Sequence, residues 1–249
     1  MNILQSLDVW DSAAQNDQDR AIQSLTELLA DDFEISEQQL YSCGDQRHYG
    51  AAWTHRSSKV VFQLITGGAR KVYDGFVSED EEKRQVAPFL MSRFPVTNKI
   101  WDRGLETITR DSDHHPKVGI SPKEIEDWLE RGPIAFRLPN ENEWEQGTWS
   151  GTDKRFFWGD NPDPRYYWYD KNGEESLHSV YEHEAFPNAF GLVDTLGHVW
   201  ELCAEGHGSG GCLWSHGYSF DLQLDPPLRR MRNLGFRLAC SLNLESSIQ

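Results

Sequence analysis

The apolar positions between residues 17 and 29 recur at the spacing of an amphipathic helix. This face is formed by Ala21, Ile22, Leu25, Leu28 and Leu29. The segment at residues 31–36 interrupts this period, and Ser36 with the following glutamate predicts a second short helix that runs to Tyr41. We therefore expect residues 1–57 to form a small, mainly helical N-terminal extension.

A pattern typical of a β-strand follows at residues 60–65. The run VVFQLI is β-branched and aromatic, and Gly67 and Gly68 close it with a turn. The acidic run SEDEEK at residues 78–83 predicts a solvated loop. We expect the core domain to begin with this strand and to occupy residues 58–249.

Three helices of the core domain are predicted from the residues at which they begin. Thr97 is placed to cap a short helix. Ser121 precedes a proline, and Glu124 follows three positions later, which is the pattern of a capping box with proline in the first turn. Asn140 and Glu143 repeat the capping-box spacing and predict the third helix.

Residues 166–202 show little periodicity and many Gly, Asn and Asp residues, which predicts a long structured loop region. The chain has ten Trp, eight Tyr and twelve Phe residues, and such side chains can pack loops that lack regular hydrogen-bond ladders. At 249 residues the chain is long enough to bury a sizeable core.

The charge balance excludes some partners. Forty acidic against 24 basic residues give a formal net charge of -16, which repels nucleic acids and anionic membranes. No apolar run approaches the roughly 20 residues that span a bilayer. Residues 1–20 carry acidic side chains and lack the apolar segment of a secretory signal, so we expect a cytoplasmic location without a nucleic-acid or membrane partner.

The four cysteines are Cys43, Cys203, Cys212 and Cys240, and they show no CxxC spacing. They are too few for a disulfide scaffold of this length. We expect free, buried thiols, since free cysteine usually packs as a small apolar residue.

Six collinear motifs point to one family. They are FLMSRFPVTN at 89–98, FRLPNENEWE at 136–145, FFWGD at 156–160, GLVDTLGHVWE at 191–201, GGCLW at 210–214 and NLGFRLA at 233–239. From about residue 60 to 240 the chain resembles the formylglycine-generating enzyme (sulfatase-modifying factor) family. The resemblance implies an α+β fold, with a C-type-lectin-like core, long ordered loops and the helical N-terminal extension added to it.

The resemblance also implies a calcium site. Asp194, Gly197, Val199 and Glu201 match family positions that hold calcium through side-chain oxygens and backbone carbonyls. Such a metal would be structural, because calcium takes six to eight oxygen ligands in flexible geometry. The alternative is that both carboxylates are solvated or bound to nearby backbone amides. His198 stands where the family usually has Asn, and we expect it to be packed and hydrogen-bonded.

The catalytic chemistry of the family is missing from the sequence. The resemblance implies two cysteines, five residues apart, after the GGCLW segment, where they hold copper in the enzymes. Residues 215–225 contain no cysteine, and Cys212 takes the place of the family's serine. The paired HxxxH of the related iron-dependent sulfoxide synthases is also missing. We therefore expect neither copper nor iron, and no catalytic activity.

The first functional hypothesis is a non-catalytic recognition module that binds a protein or peptide through the loop surface near residues 206–232. Aromatic anchors and forked guanidinium groups suit such a surface. Its expected members are Trp214, His216, Tyr218, Phe220, Arg229, Arg230 and Arg232. Core packing of the aromatic residues and internal salt bridges of the arginines are the alternatives. The second hypothesis is a divergent metal-dependent oxidase of the formylglycine-generating or sulfoxide-synthase type.

Overall fold

A computed structural model gives the structure of this chain. It describes residues 2–69, 85–102, 111–132, 136–173, 176–214, 221–222 and 231–244. The acidic run at residues 78–83 lies outside these ranges. Where it is described, the chain folds as a mixed α/β structure with sheets and short helices.

The N-terminal region contains two helices and a long β-hairpin. Its elements are α1 (Leu7–Ser12), α2 (Gln15–Leu28), β1 (Phe33–Cys43) and β2 (Gln46–His55). Helix α2 confirms the amphipathic helix and buries Ala21, Ile22 and Leu25. The second helix, predicted from Ser36 to Tyr41, is wrong because this segment lies inside β1. Antiparallel pairing with β2 gives the segment its backbone partners, and this nonlocal pairing overrides the local capping signal.

The remaining elements in chain order are β3 (Val61–Ile65), β4 (Gly68–Ala69), β5 (Gln85–Val86), β6 (Phe89–Ser92), α3 (Asn98–Trp101), α4 (Pro122–Glu130), α5 (Glu141–Trp149), β7 (Trp200–Leu202), β8 (Gly208–Ser209), β9 (Asp221–Leu222), β10 (Leu234–Gly235) and β11 (Ala239–Ser241). The main sheet has the order β1-β2-β3-β6-β11. Trp53 of β2 lies opposite Phe62 of β3. The expected boundary between residues 57 and 58 therefore falls in a turn within one sheet, and the N-terminal region is not mainly helical.

A four-stranded sheet with the order β10-β7-β8-β9 joins distant parts of the chain. Strands β7 and β10 run parallel, and Trp200 lies opposite Leu234. This pairing places the motif at residues 191–201 beside the motif at residues 233–239. The two most specific sequence motifs therefore meet in the fold.

The three predicted helix starts are confirmed. Thr97 accepts a hydrogen bond from the backbone N–H of α3. Ser121 and Glu124 form a capping box at α4, and Asn140 and Glu143 form another at α5. These local signals succeed because a cap satisfies backbone donors within one turn of the helix.

Apolar and aromatic side chains form two buried clusters. Trp53, Phe62 and Phe236 belong to one buried cluster, and Trp144 and Phe156 belong to the other. Among the helices that the structure describes, none is long and apolar enough to cross a membrane.

Between α5 and β7 the described residues form neither a helix nor a strand of the named sheets. Stacked rings pack this region instead. Trp158 lies parallel to Tyr166 with 5.1 Å between ring centroids, and Tyr167 lies parallel to Tyr169 at 4.5 Å. This arrangement matches the long structured loop region that the sequence predicts.

Candidate functional site

The signature segment, residues 191–201, is buried along its whole length. Its backbone turns sharply, because Asp194 and His198 adopt positive φ angles of 52° and 62°. A Cβ at Gly197 would lie 2.1 Å from the carbonyl oxygen of Trp168, so only glycine fits there. The segment is therefore held in a strained conformation by close backbone contact with the preceding loop.

Glu201 forms a buried ion pair with Arg237. The guanidinium donates from Nε and from Nη2 to the two carboxylate oxygens, each at 2.6 Å. Trp144 Nε1 donates to the same carboxylate at 2.7 Å. Arg237 also donates to the backbone carbonyls of Ser92 and Val193, each at 3.0 Å. One charge pair thus joins the signature segment to β6, to α5 and to the C-terminal motif.

Asp194 has a different set of partners, two buried histidines. Its oxygens lie 2.9 Å from His183 Nδ1 and 3.1 Å from His198 Nδ1. His198 Nε2 accepts the backbone N–H of His178 at 3.1 Å, so the proton of the neutral ring is on Nδ1 and faces Asp194. Burial raises the pKa of Asp194, but the interactions with His198 and His183 outweigh it and lower this pKa to about 2. Asp194 is therefore a buried anion held by imidazole donors.

Trp168 completes this histidine cluster. Its ring stacks on His178 with centroids 3.7 Å apart and on His183 with centroids 4.4 Å apart. Its Nε1 is buried and has no hydrogen-bond partner among the residues that the structure describes. The sequence did not reveal this cluster, because its members lie in loops without periodicity. Only the resemblance of the signature segment marked Asp194 in advance.

The four cysteine side chains are free and buried, as expected. Burial raises the pKa of Cys43 to about 11 and that of Cys240 to about 11, and it also raises the pKa of Cys203. Cys212 accepts a hydrogen bond from Asn233 Nδ2 at 3.0 Å. A copper pair needs accessible thiolates, whereas these are buried thiols with different neighbours. The expected absence of copper and iron stays a prediction.

The expected ligand surface is described only in part. Trp214 is 45% exposed, which removes core packing as its explanation, and Arg232 is exposed. Arg237, from the same arginine-rich stretch, forms an internal ion pair instead. The other expected members lie outside the described residues; they are His216, Tyr218, Phe220, Arg229 and Arg230.

The residues expected to bind calcium are divided between two networks. Asp194 faces imidazole groups, and Glu201 is neutralised by Arg237. Gly197 and Val199 lie between them, both buried. Within the described ranges, no group of three or more His, Cys, Asp or Glu side chains is arranged to hold a metal ion. Calcium binding by Asp194, Gly197, Val199 and Glu201 stays a prediction.

The five-stranded and four-stranded sheets, the loop region packed by aromatic rings and the signature segment form a mixed α/β scaffold. A family model described as the sulfatase-modifying factor enzyme 1-like domain matches residues 50–242. The chain belongs to this family.

Two curated relatives show that the family contains both enzymes and an inactive form. The chain is 28% identical over 173 residues to the inactive C-alpha-formylglycine-generating enzyme 2 of Mus musculus. The aligned region covers 63% of this chain and 54% of that relative. The chain is 27% identical over 199 residues to the formylglycine-generating enzyme of Thermomonospora curvata. This second aligned region covers 73% of this chain and 60% of the relative. The chain thus spans less than two thirds of the length of either relative.

A solved structure supports the fold. The crystal structure of CarF matches with a TM-score of 0.54 and 18% sequence identity, and the match covers 75% of this chain and 100% of CarF. At this identity the likeness concerns the fold alone.

Proposed function

We propose that this protein is a non-catalytic member of the family that binds a protein or peptide through the loop surface around residues 206–232. One observation carries the proposal: residues 213–239 contain no cysteine, and all four cysteines of the chain are buried thiols. The fold is retained while the soft ligands of copper are missing. The relative named as inactive is compatible with this role.

The binding surface is proposed from two described side chains. Trp214 exposes a large aromatic ring, and Arg232 offers a forked cation to a carboxylate. Tryptophan and arginine dominate the binding energy of many protein interfaces. A partner that presents an apolar side chain and a carboxylate fits these two groups.

Three further features belong to the proposal. The core is of the C-type-lectin-like kind, in which loops rather than strands present the binding surface. The protein acts in the cytoplasm. A calcium ion at the signature segment, if bound, would stabilise the loops and would take no part in a reaction.

Affinity capture with matched variants tests the recognition role. We expect the wild-type protein to retain a partner and Trp214→Ala to bind the same partner about tenfold or more weakly. The reason is that loss of a buried interface anchor costs about 2 kcal/mol of binding free energy. Arg232→Ala should weaken the same partner. Leu40→Ala, which trims another exposed apolar residue, should retain it. Equal retention by Trp214→Ala and the wild-type protein would contradict the proposed surface.

The same preparation tests the absence of catalysis. After loading with copper or iron and addition of a thiol peptide, we expect oxygen consumption no faster than with the metal alone. Faster consumption, together with stoichiometric bound metal, would support the divergent oxidase instead.

A further inference from the structure

A cavity of about 700 Å³ lies beside the turn between β2 and β3, where that turn faces α3 and the C-terminal end of α4. None of the lining residues that the structure describes comes from the loop surface proposed above, residues 206–232. Cavities of roughly 300–1,000 Å³ hold small organic molecules in other proteins. The size therefore suits a ligand of one or two rings.

The charge of this cavity is opposite to that of the whole chain. Lys59, Lys99 and Arg131 line it, and the part of the lining that the structure describes contains no Asp or Glu. The chain as a whole carries 40 acidic and 24 basic residues. Glu34 lies outside the lining and approaches Lys59 at 4.0 Å, with both side chains largely exposed, so solvent screens this contact. The positive rim favours an anion.

Two aromatic side chains of the lining, Trp128 and Phe136, are buried and fixed in place. Trp128 and Phe136 are 7% and 6% exposed. Trp128 Nε1 donates to the backbone carbonyl of Trp101, and Phe136 packs on Phe62 with 5.1 Å between ring centroids. These two rings give the cavity a rigid apolar surface.

The lining also contains a second ring pair. His114 and Tyr181 both line the cavity, and their ring centroids are 5.0 Å apart. Tyr181 is 48% exposed, so its ring is accessible from solvent. The cavity thus combines aromatic side chains that can contact a planar ring with cations that can pair with an anionic group.

We infer that this cavity binds a small aromatic anion, a molecule with one planar ring and one carboxylate or phosphate group. The planar ring lies against the aromatic lining, where the ring of Tyr181 is accessible, and the anionic group meets Lys59, Lys99 and Arg131. This inference does not rest on the proposed recognition surface, because the described residues of the two sites do not overlap.

Isothermal titration calorimetry tests the inference with four probes. Phenyl phosphate and phenylacetate carry both a ring and an anionic group, whereas benzyl alcohol lacks the charge and inorganic phosphate lacks the ring. We expect saturable binding of at least one ring-bearing anion, at least about tenfold tighter than that of benzyl alcohol or inorganic phosphate. The tighter of the two anions tells whether the site prefers phosphate or carboxylate. Equal binding of either control probe, or no saturable binding of both anions, would overturn the inference.

Charge-removing variants locate the site. The double variant Lys59→Gln, Lys99→Gln should bind the preferred anion about tenfold or more weakly than the wild-type protein, because it loses two charge-assisted contacts. Lys123→Gln is the matched control, since Lys123 is on α4, pairs with Asp127 and does not line the cavity. Lys59 and Lys99 are both exposed, so we expect the double variant to fold. Circular dichroism melts verify this, and if the double variant is unfolded, the single variant Lys99→Gln replaces it in the titration. Unchanged affinity in the lysine variants would place the binding elsewhere and overturn the inference.

Discussion

Glu201 and Asp194 are both buried in the signature segment, yet they are stabilised in different ways. Glu201 meets a permanent cation, the guanidinium of Arg237, in a two-bond pair. Asp194 meets the N–H groups of His183 and His198. Two carboxylates seven positions apart therefore have different kinds of partner: Glu201 has a permanently charged guanidinium, and Asp194 has two imidazole groups.

The comparison shows which group anchors the fold. Removal of the Glu201 charge would leave Arg237 as an unpaired buried cation, and such stranded charges are among the most destabilising changes in proteins. Removal of the Asp194 charge would leave His183 and His198 with a weaker acceptor but would strand no buried guanidinium, which is a smaller penalty. The two residues should therefore differ clearly in the cost of an amide substitution.

The largest effect is expected for Glu201→Gln. The amide keeps the shape but leaves Arg237 without its counter-ion, so we expect a loss of about 3–5 kcal/mol in the free energy of unfolding. Urea denaturation followed by tryptophan fluorescence measures this loss. Glu34→Gln, which removes an exposed partner of Arg56 and Lys59, should cost no more than about 1 kcal/mol. Equal losses of unfolding free energy in Glu201→Gln and Glu34→Gln would show that the buried ion pair stabilises the fold no more than an exposed one.

A smaller effect is expected for Asp194→Asn. Asparagine tolerates the positive φ at this position, but its NH2 group opposes one of the two imidazole N–H donors. We expect a loss of about 1–3 kcal/mol, measured by the same denaturation. A loss larger than that of Glu201→Gln would reverse the ranking of the two carboxylates.

Asp194→Asn also tests whether the signature segment binds calcium. If the signature segment holds calcium, chelation should lower the melting temperature of the wild-type protein and leave Asp194→Asn unaffected, because binding to the folded state stabilises it. Identical melting with chelator and with added calcium would count against the metal.

The smallest effect is expected from the buried thiols, which have no charged partner of the kind that Glu201 has. The pKa of Cys43 and of Cys240 is about 11 in the folded chain, above the ordinary 9.0. A raised folded pKa contributes stability that is present below pH 9 and is lost as the pH rises through about 11. We expect the titration of each thiol to lower the free energy of unfolding by about 1 kcal/mol as the pH rises from 8 to 10.

Alkaline denaturation of the wild-type protein and of Cys43→Ala measures this contribution. The alanine variant should lose less stability than the wild-type protein over the same pH interval, whatever its stability at pH 8. A thiol reagent at pH 8 should label the cysteines only after unfolding. Rapid labelling of the native protein would contradict the buried, protonated state.

Local signals in the sequence predicted local structure well. The capping residues Ser121, Glu124, Asn140 and Glu143 mark helix starts that the structure confirms, because a cap acts within one turn. The helix expected from Ser36 was wrong, since pairing with β2 decides that segment. The binding surface could be compared with the structure only at Trp214 and Arg232.

The sequence by itself determined the family, the free thiols and the missing cysteine pair, because motif order and residue identity are properties of the chain alone. Only the tertiary structure decided which groups meet. Glu201 and Arg237 are 36 positions apart, and the histidines around Asp194 come from irregular loops. Packing brings them together in a dry interior, where each buried charge needs a partner that no local pattern specifies.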